Sequence, residues 1–290
     1  MHLLADRKGN ITEENSIQDR FLEKLYLSAI GRVALKFMIS PLFSKIGGKI
    51  LDSGLSKIFI YPFIKKHSIR LSEYEKKRYN SYNDFFTRKM LLGARHINRN
   101  NNIFISPCDS RLSVYKIDEK SMFSIKNTKY TAESLLRRKN LAKYFCGGYI
   151  WIFRLCVEDY HHYIYTDKGK VSENFKIPGV FHTVNPVAND NFPIYKENTR
   201  EYCVIQSENF GKMIQMEVGA LLVGKIENRP CGKLIYRGQE RGYFAFGGST
   251  IILMTQKGKV RPDTDILKNS QNGIETIVKM GEHVGIKEKE

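Results

Sequence analysis

The sequence predicts an α+β protein in which a helical N-terminal region precedes a mostly antiparallel β domain. Within residues 16–66, apolar side chains recur at steps of three and four residues, which is the spacing of one helix face. After residue 100, short alternating or apolar runs follow one another and are separated by turn signals such as Asp167-Lys168-Gly169. We therefore expect a basic helical region over residues 1–100 and a β domain over residues 101–290.

Two consecutive helices are predicted in the N-terminal region, after a loose polar lead-in over residues 1–15. The first covers residues 16–39 and ends before Pro41, and the second runs over about residues 41–66. Both carry lysine or arginine between their apolar positions. A basic amphipathic helix lies in a membrane interface or packs against its own domain, and the sequence alone leaves both interpretations open.

Ten strands and one helix are predicted after residue 100. The helix is expected over Thr131–Phe145, with Leu135, Leu136 and Leu141 on its apolar face. The strands are expected at Ile103–Ser106, Arg111–Ile117, Gly148–Val157, Tyr163–Thr166, Val171–Val180, Tyr202–Gln206, Lys212–Val223, Lys233–Tyr236, Tyr243–Phe246 and Thr250–Gln256.

The 290-residue chain has a globular composition, with 42% hydrophobic and 12% aromatic residues. Its 47 Lys and Arg residues outnumber its 30 Asp and Glu residues, so the formal net charge is +17. Such an excess predicts an anionic partner, either nucleic acid or an acidic membrane surface. We favour the membrane and expect no nucleic acid, because no nucleic-acid motif accompanies the charge, which is concentrated in the helices.

Cysteine usage and hydropathy bound the location of the protein. The five cysteines are scattered and include no Cys-x-x-Cys pair, which argues against a disulfide framework or a zinc site and favours a reducing compartment. The N-terminus has no apolar signal-peptide core, and no uncharged run reaches the roughly 18–20 residues of a membrane span. We therefore expect a soluble or peripheral protein.

A Gly-Gly pair followed by serine stands out in Gly247-Gly248-Ser249-Thr250, just before the apolar run Ile251–Met254. Such a pair in a strand usually marks a bulge or a close backbone approach. The alternative is that the protein breaks its own Gly248–Ser249 bond. Glycine leaves the carbonyl unshielded, so the serine hydroxyl can attack it and convert the amide into an ester. Loss of that ester leads through dehydroalanine to a pyruvoyl group.

Three other segments carry the base and the acid that an activated serine needs. Histidine is the natural proton carrier near neutral pH, and a carboxylate fixes its tautomer. Turn chemistry alone also explains the aspartate of the first segment. Metal binding by the second segment is disfavoured, because adjacent histidines on a strand point to opposite faces. The segments are Ile105–Ser110, with Asp109; Leu155–Tyr163, with Asp159, His161 and His162; and Gly179–Pro186, with His182.

These segments, taken in order, resemble the phosphatidylserine decarboxylase family of pyruvoyl enzymes. The resemblance runs from about residue 80 to residue 256 in seven collinear motifs, and the N-terminal helices resemble the longer N-terminal region of clostridial-type bacterial members. The motifs are Asn83–Arg88, Ser106–Asp109, Asp159–His161, His182–Pro186, Val218–Ala220 with Val223-Gly224, Gly238–Phe244 and Phe246–Thr250.

The resemblance implies roles for the residues that match. Ser249 would attack the Gly248 carbonyl, which divides the chain into residues 1–248 and 249–290, and would become a covalent pyruvoyl group. That group would serve as the electron sink while CO2 leaves the substrate.

The resemblance also implies the residues that assist. Asp109 and His161 would complete the charge-relay set that activates the serine. His161 would protonate the carbanion, and Asp159 is a candidate to orient His161.

The sequence departs from the family pattern near the predicted base. His162 stands where many members have arginine, and Ile164 stands where they have a second histidine. This leaves open which imidazole serves cleavage and which serves decarboxylation, and we hypothesise that His182 supplies the missing one. Gly247 stands where other branches carry leucine, which we expect to be tolerated because it adds backbone freedom beside the bond that breaks.

The function implied by the resemblance is that of a zymogen of a lyase, which makes phosphatidylethanolamine from phosphatidylserine in phospholipid biosynthesis. We expect it to lie peripherally on anionic lipid at the cytoplasmic face of the cell membrane. The two cleavage fragments are expected to bind each other, and a homodimer is a further expected assembly. The alternative is a basic lipid-binding or nucleic-acid-binding β module without turnover.

Overall fold

Short helices and a large antiparallel sheet make up the computed structural model, which describes residues 2–14, 26, 28, 41–75, 78–125, 128–180, 182–183, 193–220, 226–245 and 249–288. The described residues confirm the predicted α+β class, because short helices accompany a mostly antiparallel main sheet of 11 strands. The hydrophobic core lies on the central strands of that sheet.

Seven α-helices lie within the described residues. The predicted second helix is confirmed, with a break at Ser53 where a 3-10 helix over Gly54–Phe59 joins α1 to α2. The predicted first helix over 16–39 lies outside the described residues, except for Tyr26 and Ser28. No described helix is long and apolar enough to span a bilayer. The helices are Pro41–Asp52 (α1), Ile60–His67 (α2), Tyr82–Phe86 (α3), Ala132–Leu136 (α4), Lys139–Ala142 (α5), Ile194–Glu197 (α6) and Thr264–Gln271 (α7).

The strands form one main sheet and three small ones. The main sheet has the order β14-β9-β11-β12-β16-β7-β4-β18-β1-β2, with β10 also paired to β11. The strands are His2–Ala5 (β1), Ile11–Glu14 (β2), Ile103–Ile105 (β3), Ser110–Lys116 (β4), Met122–Ile125 (β5), Thr128–Thr131 (β6), Tyr149–Leu155 (β7), His162–Ile164 (β8), Gly169–Val171 (β9), Phe175–Ile177 (β10), Arg200–Ser207 (β11), Gly211–Val218 (β12), Ile226–Asn228 (β13), Leu234–Ile235 (β14), Glu240–Phe244 (β15), Ser249–Thr255 (β16), Val260–Pro262 (β17), Glu275–Val278 (β18) and His283–Lys287 (β19).

The strand that begins at Ser249 is central to the main sheet. It lies between β12 and β7, pairs antiparallel with both, and has all seven residues buried. A strand covered on both faces reads as a continuous apolar run, which is why Ile251–Met254 stands out in the sequence. The segment 249–290 also supplies β18, between β4 and β1, and β19, between β17 and β3. This C-terminal segment therefore contributes three separate strands, each of which lies between two others.

The prediction of a loose lead-in over residues 1–15 is wrong, because residues 2–14 form the hairpin β1–β2. Strand β1 pairs in parallel with β18. Arg7 fastens the hairpin by donating hydrogen bonds to Asp263 at 2.6 Å and to the His283 carbonyl at 2.8 Å. The hairpin is short, and its second strand, β2, is a polar edge strand. Its place in the sheet therefore depends on the pairing of β1 with β18 and not on the hydrophobic pattern of residues 2–14.

The predicted helical segment Thr131–Phe145 is confirmed as helical, but it forms three short pieces rather than one helix. Helix α4 begins at a cap in which the Thr131 hydroxyl accepts from the Ser134 amide at 2.9 Å. It ends at Arg137, whose φ of 51° is left-handed and stops the helix. Helix α5 and a 3-10 turn over Lys143–Phe145 follow.

Several short elements escape the pattern analysis, among them α7 and β17–β19 at the C-terminus. Each has between 3 and 8 residues and only part of its surface buried. Segments of this length carry too few periods for hydrophobic spacing to identify them.

Helix α3 packs the N-terminal region against the sheet and so positions the site. The Ser81 hydroxyl caps it by accepting from the Asp84 amide at 3.1 Å. Phe85 and Phe86 are both fully buried, and the Phe86 ring centroid lies 4.2 Å from that of His161. The compact aromatic block of the sequence is thus one wall of the candidate site.

Candidate active site

Ser249 is the first residue of β16. It is 0% exposed, and its hydroxyl has no hydrogen-bond partner among the residues that the structure describes. Leaving a buried polar group unpaired costs about 1–3 kcal/mol, so such a group calls for a functional explanation. Gly247 and Gly248, which precede it, lie outside the described residues. The structure therefore places the predicted nucleophile but not the bond that it is expected to attack.

His161 is fully buried and holds a defined tautomer. Its Nδ1 lies 2.9 Å from the main-chain carbonyl oxygen of Asp159. A carbonyl only accepts, so Nδ1 carries the proton and Nε2 is left as an acceptor. Within the described part of the chain, Nε2 has no hydrogen-bond partner. Burial lowers the pKa of His161 to about 3, so the ring is neutral near pH 7 and ready to accept a proton.

Main-chain contacts join the segments of Ser249 and His161 on two sides. Ser249 is the register partner of Leu155, the last residue before the turn that leads to His161. Phe244, just upstream of the Gly-Gly pair, donates its amide to the His161 carbonyl at 3.0 Å. The strand that begins with the predicted nucleophile therefore adjoins the turn that ends with the predicted base.

Asp109 is buried and held by cations and a main-chain amide. Arg95 donates from Nε at 3.0 Å to one oxygen and from Nη2 at 2.7 Å to the other. The Met280 amide donates at 2.9 Å, and the Lys279 ammonium lies 3.4 Å away. Both carboxylate oxygens are thus occupied, and two of the partners belong to the C-terminal segment.

The structure does not join Asp109 to His161. The Nδ1 proton of His161 goes to the Asp159 carbonyl, and the Asp109 oxygens go to the partners just named. Burial raises the pKa of Asp109, but Arg95, Lys279 and the Met280 amide together outweigh that effect, so the pKa is lowered and the carboxylate is ionised. The charge-relay role of Asp109 stays a prediction.

Asp159 orients His161 through its main chain, while its carboxylate shapes the turn. The carboxylate accepts from the Cys156 amide at 2.8 Å and from Arg111 Nη1 at 2.8 Å. Arg111 Nη2 also donates to Glu158 at 2.6 Å. Burial raises the pKa of Asp159, and the charge of Arg111 opposes that rise. Arg111 therefore braces the turn whose carbonyl fixes the tautomer of His161.

Arg111 is a residue that sequence reasoning missed. It sits on β4, and nothing in its own strand marks it as the partner of a turn much later in the chain. The one available signal was the adjacent pair Glu158 and Asp159, since two carboxylates near a buried strand require a cation.

His162 meets different neighbours from His161, as expected for adjacent residues. Its Nδ1 lies 2.9 Å from Glu240 Oε1, and its Nε2 lies 3.2 Å from the Thr87 carbonyl oxygen. Its ring stacks on Tyr160, with centroids 4.7 Å apart. His162 thus connects the small sheet that contains β8 and β15 to the end of α3.

His182 is buried in the segment that follows β10. Its Nδ1 lies 3.3 Å from the Tyr26 hydroxyl, and its Nε2 lies 3.5 Å from Glu197 Oε2. Burial lowers the pKa of His182 to about 4, so this ring is also neutral near pH 7.

Asn198 ties His182 to the end of the sheet where Ser249 lies. Its side chain accepts from the His182 amide at 2.9 Å and donates to the carbonyls of His182 and Gly219 at 2.8 Å each. Gly219 follows β12, whose last residue pairs with Thr250. The role of His182 as a second imidazole stays a prediction.

A buried, unpartnered serine after two glycines, joined to a turn that carries a neutral histidine, has the parts of a self-processing enzyme precursor. The family model of phosphatidylserine decarboxylase matches residues 82–286 of this chain. The chain therefore belongs to the phosphatidylserine decarboxylase family, as its sequence motifs predicted.

Curated relatives match nearly the whole chain. Phosphatidylserine decarboxylase proenzyme 2 of Clostridium acetobutylicum is 46% identical over 273 residues, which cover 94% of this chain and 94% of the relative. The phosphatidylserine decarboxylase proenzyme of Clostridium kluyveri is 40% identical, with 93% of each chain covered. That of Clostridium novyi is 39% identical and covers 97% of this chain and 98% of the relative. The expected clostridial relationship is confirmed.

Proposed function

We propose that this chain is a proenzyme that cleaves itself between Gly248 and Ser249 and then decarboxylates phosphatidylserine to phosphatidylethanolamine. Family membership supports the reaction. The observation that carries the proposal for this chain is a pair of buried groups without partners in the described residues, Ser249 Oγ and His161 Nε2. The first must lose a proton to become a nucleophile, and the second is poised to gain one.

Self-cleavage begins at the Ser249 hydroxyl. Its oxygen attacks the Gly248 carbonyl carbon while His161 Nε2 takes the hydroxyl proton. The peptide C–N bond breaks, the freed amine of Ser249 receives that proton, and an ester joins the two pieces. Removal of the Ser249 Cα proton then expels the Gly248 carboxylate, and water replaces the nitrogen as ammonia leaves.

Ser249 fits the pyruvoyl group that this sequence of steps produces. As the first residue of β16 it keeps its partner Leu155 on β7 after the backbone is cut, and the next residue, Thr250, keeps its partner Val218 on β12. When formed, the group supplies the electron sink for the loss of CO2. His161 Nε2, which can take up a proton during the reaction, is the atom that returns a proton to the substrate carbon.

The two fragments are expected to remain bound to each other. The segment 249–290 contributes β16, β18 and β19, each paired with strands on both sides. Arg7 and Asp109 of the long fragment grip the short one through Asp263 and the Met280 amide. Separation would require unpairing buried strands, so cleavage changes the covalent structure without releasing a subunit.

Two cavities beside the site suit the two ends of a phospholipid. A polar cavity of about 660 Å³ has both cations and carboxylates in its wall, including Arg95, Asp109 and Lys279, and a phosphoserine headgroup also carries both signs of charge. An apolar groove of about 390 Å³ is lined by Phe59, Phe63 and Val157, among others. His67 lines both spaces, so the two lie next to each other.

We propose that the protein works as a peripheral enzyme at the cytoplasmic membrane face. The segment from α1 to α2 exposes large apolar side chains, with Leu55 at 84% and Tyr61 at 74% exposure. Exposed apolar surface rimmed by charge is typical of an interaction surface. Each lysine or arginine near an anionic leaflet adds about 1 kcal/mol of attraction.

The intact mass of freshly expressed protein under denaturing conditions tests self-cleavage. We expect two species, 1–248 and 249–290, with the smaller one lighter by one ammonia than a peptide that starts with serine. Ser249→Ala should give a single uncleaved chain, whereas Ser113→Ala, at another buried serine, should cleave normally.

An assay of CO2 release from phosphatidylserine dispersed in detergent tests the reaction itself. The cleaved protein should release CO2 and form phosphatidylethanolamine, and Ser249→Ala should not. An uncleaved wild-type chain, or a cleaved one that is inactive on dispersed substrate, would overturn the proposal.

A further inference from the structure

We infer that the loop at Leu91 and Leu92 is a second bilayer-inserting element, separate from the N-terminal helices, that seats the active-site turn against an anionic phospholipid surface. The inference rests on the proposed function, because it supposes a substrate that lies in a membrane. Its ligand is the bilayer itself rather than a single lipid molecule. We call residues 88–93 together with Leu71 the leucine tip.

The leucine tip projects apolar surface that the rest of the fold leaves uncovered. Leu92 is 107% exposed, and Leu91 and Leu71 are each 45% exposed. A leucine side chain forgoes favourable burial while it stays in water, so an exposed leucine pair in a loop is a cost unless another surface covers it. Leu71 follows α2, which ends at His67, and Leu91 is hydrogen-bonded to Glu73 in the same segment.

Main-chain hydrogen bonds hold the leucine tip in shape. Leu91 donates its amide to the Glu73 carbonyl at 3.0 Å, and Glu75 donates to the Lys89 carbonyl at 2.9 Å. The Ala94 amide closes the loop onto the Leu91 carbonyl at 3.0 Å. The leucines are therefore presented by a short two-stranded ribbon rather than by an unsupported loop.

The charges around the leucine tip favour an anionic bilayer over a protein partner. Exposed basic side chains flank it at Lys65, Lys66, Arg70, Arg78 and Lys89. Glu75 is the exposed acid of the ribbon, and Glu73 is already paired with Arg95 at 2.8 Å. Apolar side chains beside cations match the acyl and headgroup layers of an anionic leaflet.

The leucine tip is joined directly to the turn that carries His161. The Met90 amide donates to the Tyr160 hydroxyl at 3.3 Å. Buried Arg88 donates from Nη2 to the Glu158 carbonyl at 3.3 Å. The residues just before the predicted base are thus fastened to the residues that meet the membrane, which keeps the site within reach of a headgroup at the surface.

Fluorescence of an introduced tryptophan tests the insertion. The single native tryptophan, Trp151, is 0% exposed, so Leu92→Trp adds the one solvent-facing reporter. We expect its emission to shift to the blue and to be quenched by vesicles of phosphatidylserine and phosphatidylcholine with brominated acyl chains. Leu234→Trp, at another exposed leucine, should show neither change. Equal quenching at both positions, or at neither, would overturn the inference.

Vesicle sedimentation of charged variants supplies the second test. Leu92→Glu should weaken binding to the same vesicles by about tenfold or more, since loss of one leucine's burial corresponds to that factor, whereas Leu234→Glu should bind within twofold of wild type. Both variants should cleave themselves and decarboxylate detergent-dispersed phosphatidylserine at the wild-type rate. Unchanged vesicle binding by Leu92→Glu would overturn the inference. Inactivity of the wild type on dispersed substrate would instead overturn the proposed function.

Discussion

His161 illustrates how a main-chain carbonyl can set the tautomer of a base, a task that a carboxylate performs in a Ser-His-Asp triad. The Asp159 carbonyl receives the Nδ1 proton at 2.9 Å, so Nε2 is available whatever the charge state of the carboxylates nearby. The tautomer of His161 therefore depends on the shape of the turn over residues 156–160. Arg111 maintains that shape by bonding Asp159 and Glu158 together.

The rate of self-cleavage should be insensitive to acid across the physiological range. The pKa of His161 is lowered by burial to about 3, below the ordinary value near 6.5. The base is therefore unprotonated at every pH well above 3, and acid would remove it only below that value. Intact-mass time courses of freshly translated precursor between pH 5 and pH 8 should show no acid limb. A rate that falls with a midpoint near pH 6.5 would show that His161 is solvated or is not the base.

Replacement of Arg111 should slow self-cleavage by disordering the turn. The side chain of Arg111 is 11% exposed and that of Asp159 is 10% exposed, and removing one partner of a buried ion pair costs about 3–5 kcal/mol. Arg111→Met should therefore lower both the thermal midpoint and the cleavage rate, and Arg111→Lys should restore part of each.

A matched control for Arg111 is the exposed pair Lys168–Glu208, whose side chains are 50% and 52% exposed. Solvent screens such an exposed pair, which contributes little to stability, so Lys168→Met should leave both measurements near wild type. Equal effects of Arg111→Met and Lys168→Met would show that Arg111 does not brace the turn before His161.

At the scale of secondary-structure elements, the position of β16 reconciles chain cleavage with a stable fold. A break just before Ser249 leaves the strand paired with β12 and β7 over its length. The hairpin β1–β2 adds a second hold, because β1 covers the outer side of β18 and Arg7 bonds Asp263. The N-terminus thus takes part in retaining the C-terminal fragment.

Cleaved protein should behave as one particle until it unfolds. We expect 1–248 and 249–290 to co-elute in native size-exclusion chromatography and to separate only in denaturant. Arg7→Ala should lower the urea concentration at which they separate, because the bonds to Asp263 and Asp265 join the two fragments. A short fragment that elutes alone from native cleaved protein would contradict this expectation.

At the scale of the whole molecule, residues 1–100 carry +10 of the net charge of +17, because they hold 19 Lys and Arg against 9 Asp and Glu. Most of the exposed large apolar side chains among the described residues lie in the same part of the chain. Electrostatic attraction brings a basic protein to an anionic leaflet, and apolar insertion then holds it there. The same charge would also attract nucleic acid, so partner choice has to be measured. The homodimer stays a prediction that sedimentation velocity can test.

Membrane binding should depend on both lipid charge and salt. Exposed charges are screened within about 8 Å at physiological ionic strength. Raising the salt concentration about tenfold, from 0.05 M to 0.5 M, should therefore weaken binding to phosphatidylserine-containing vesicles. Binding to neutral phosphatidylcholine vesicles should be weak at both concentrations. RNA should compete poorly with the anionic vesicles. Salt-independent binding would contradict electrostatic attachment to the membrane. Displacement from vesicles by RNA would favour the alternative of a nucleic-acid-binding module.

The sequence by itself determined the α+β class, the apolar core strand after Ser249 and the membership of the family. These follow from local periodicity and from motifs in which each residue is read beside its neighbours. It also brought forward the individual residues Asp109, Asp159, His161, His182 and Ser249.

Only the tertiary structure decided which of those residues meet. The sequence cannot show that Asp109 is held by Arg95 and Met280, or that Arg111 braces the turn before His161, because these contacts join segments far apart in the chain. The hairpin β1–β2 is another such case, since its edge strand acquires a place only through β18. Pairing across long sequence separations is set by packing of the whole chain, and no local pattern records it.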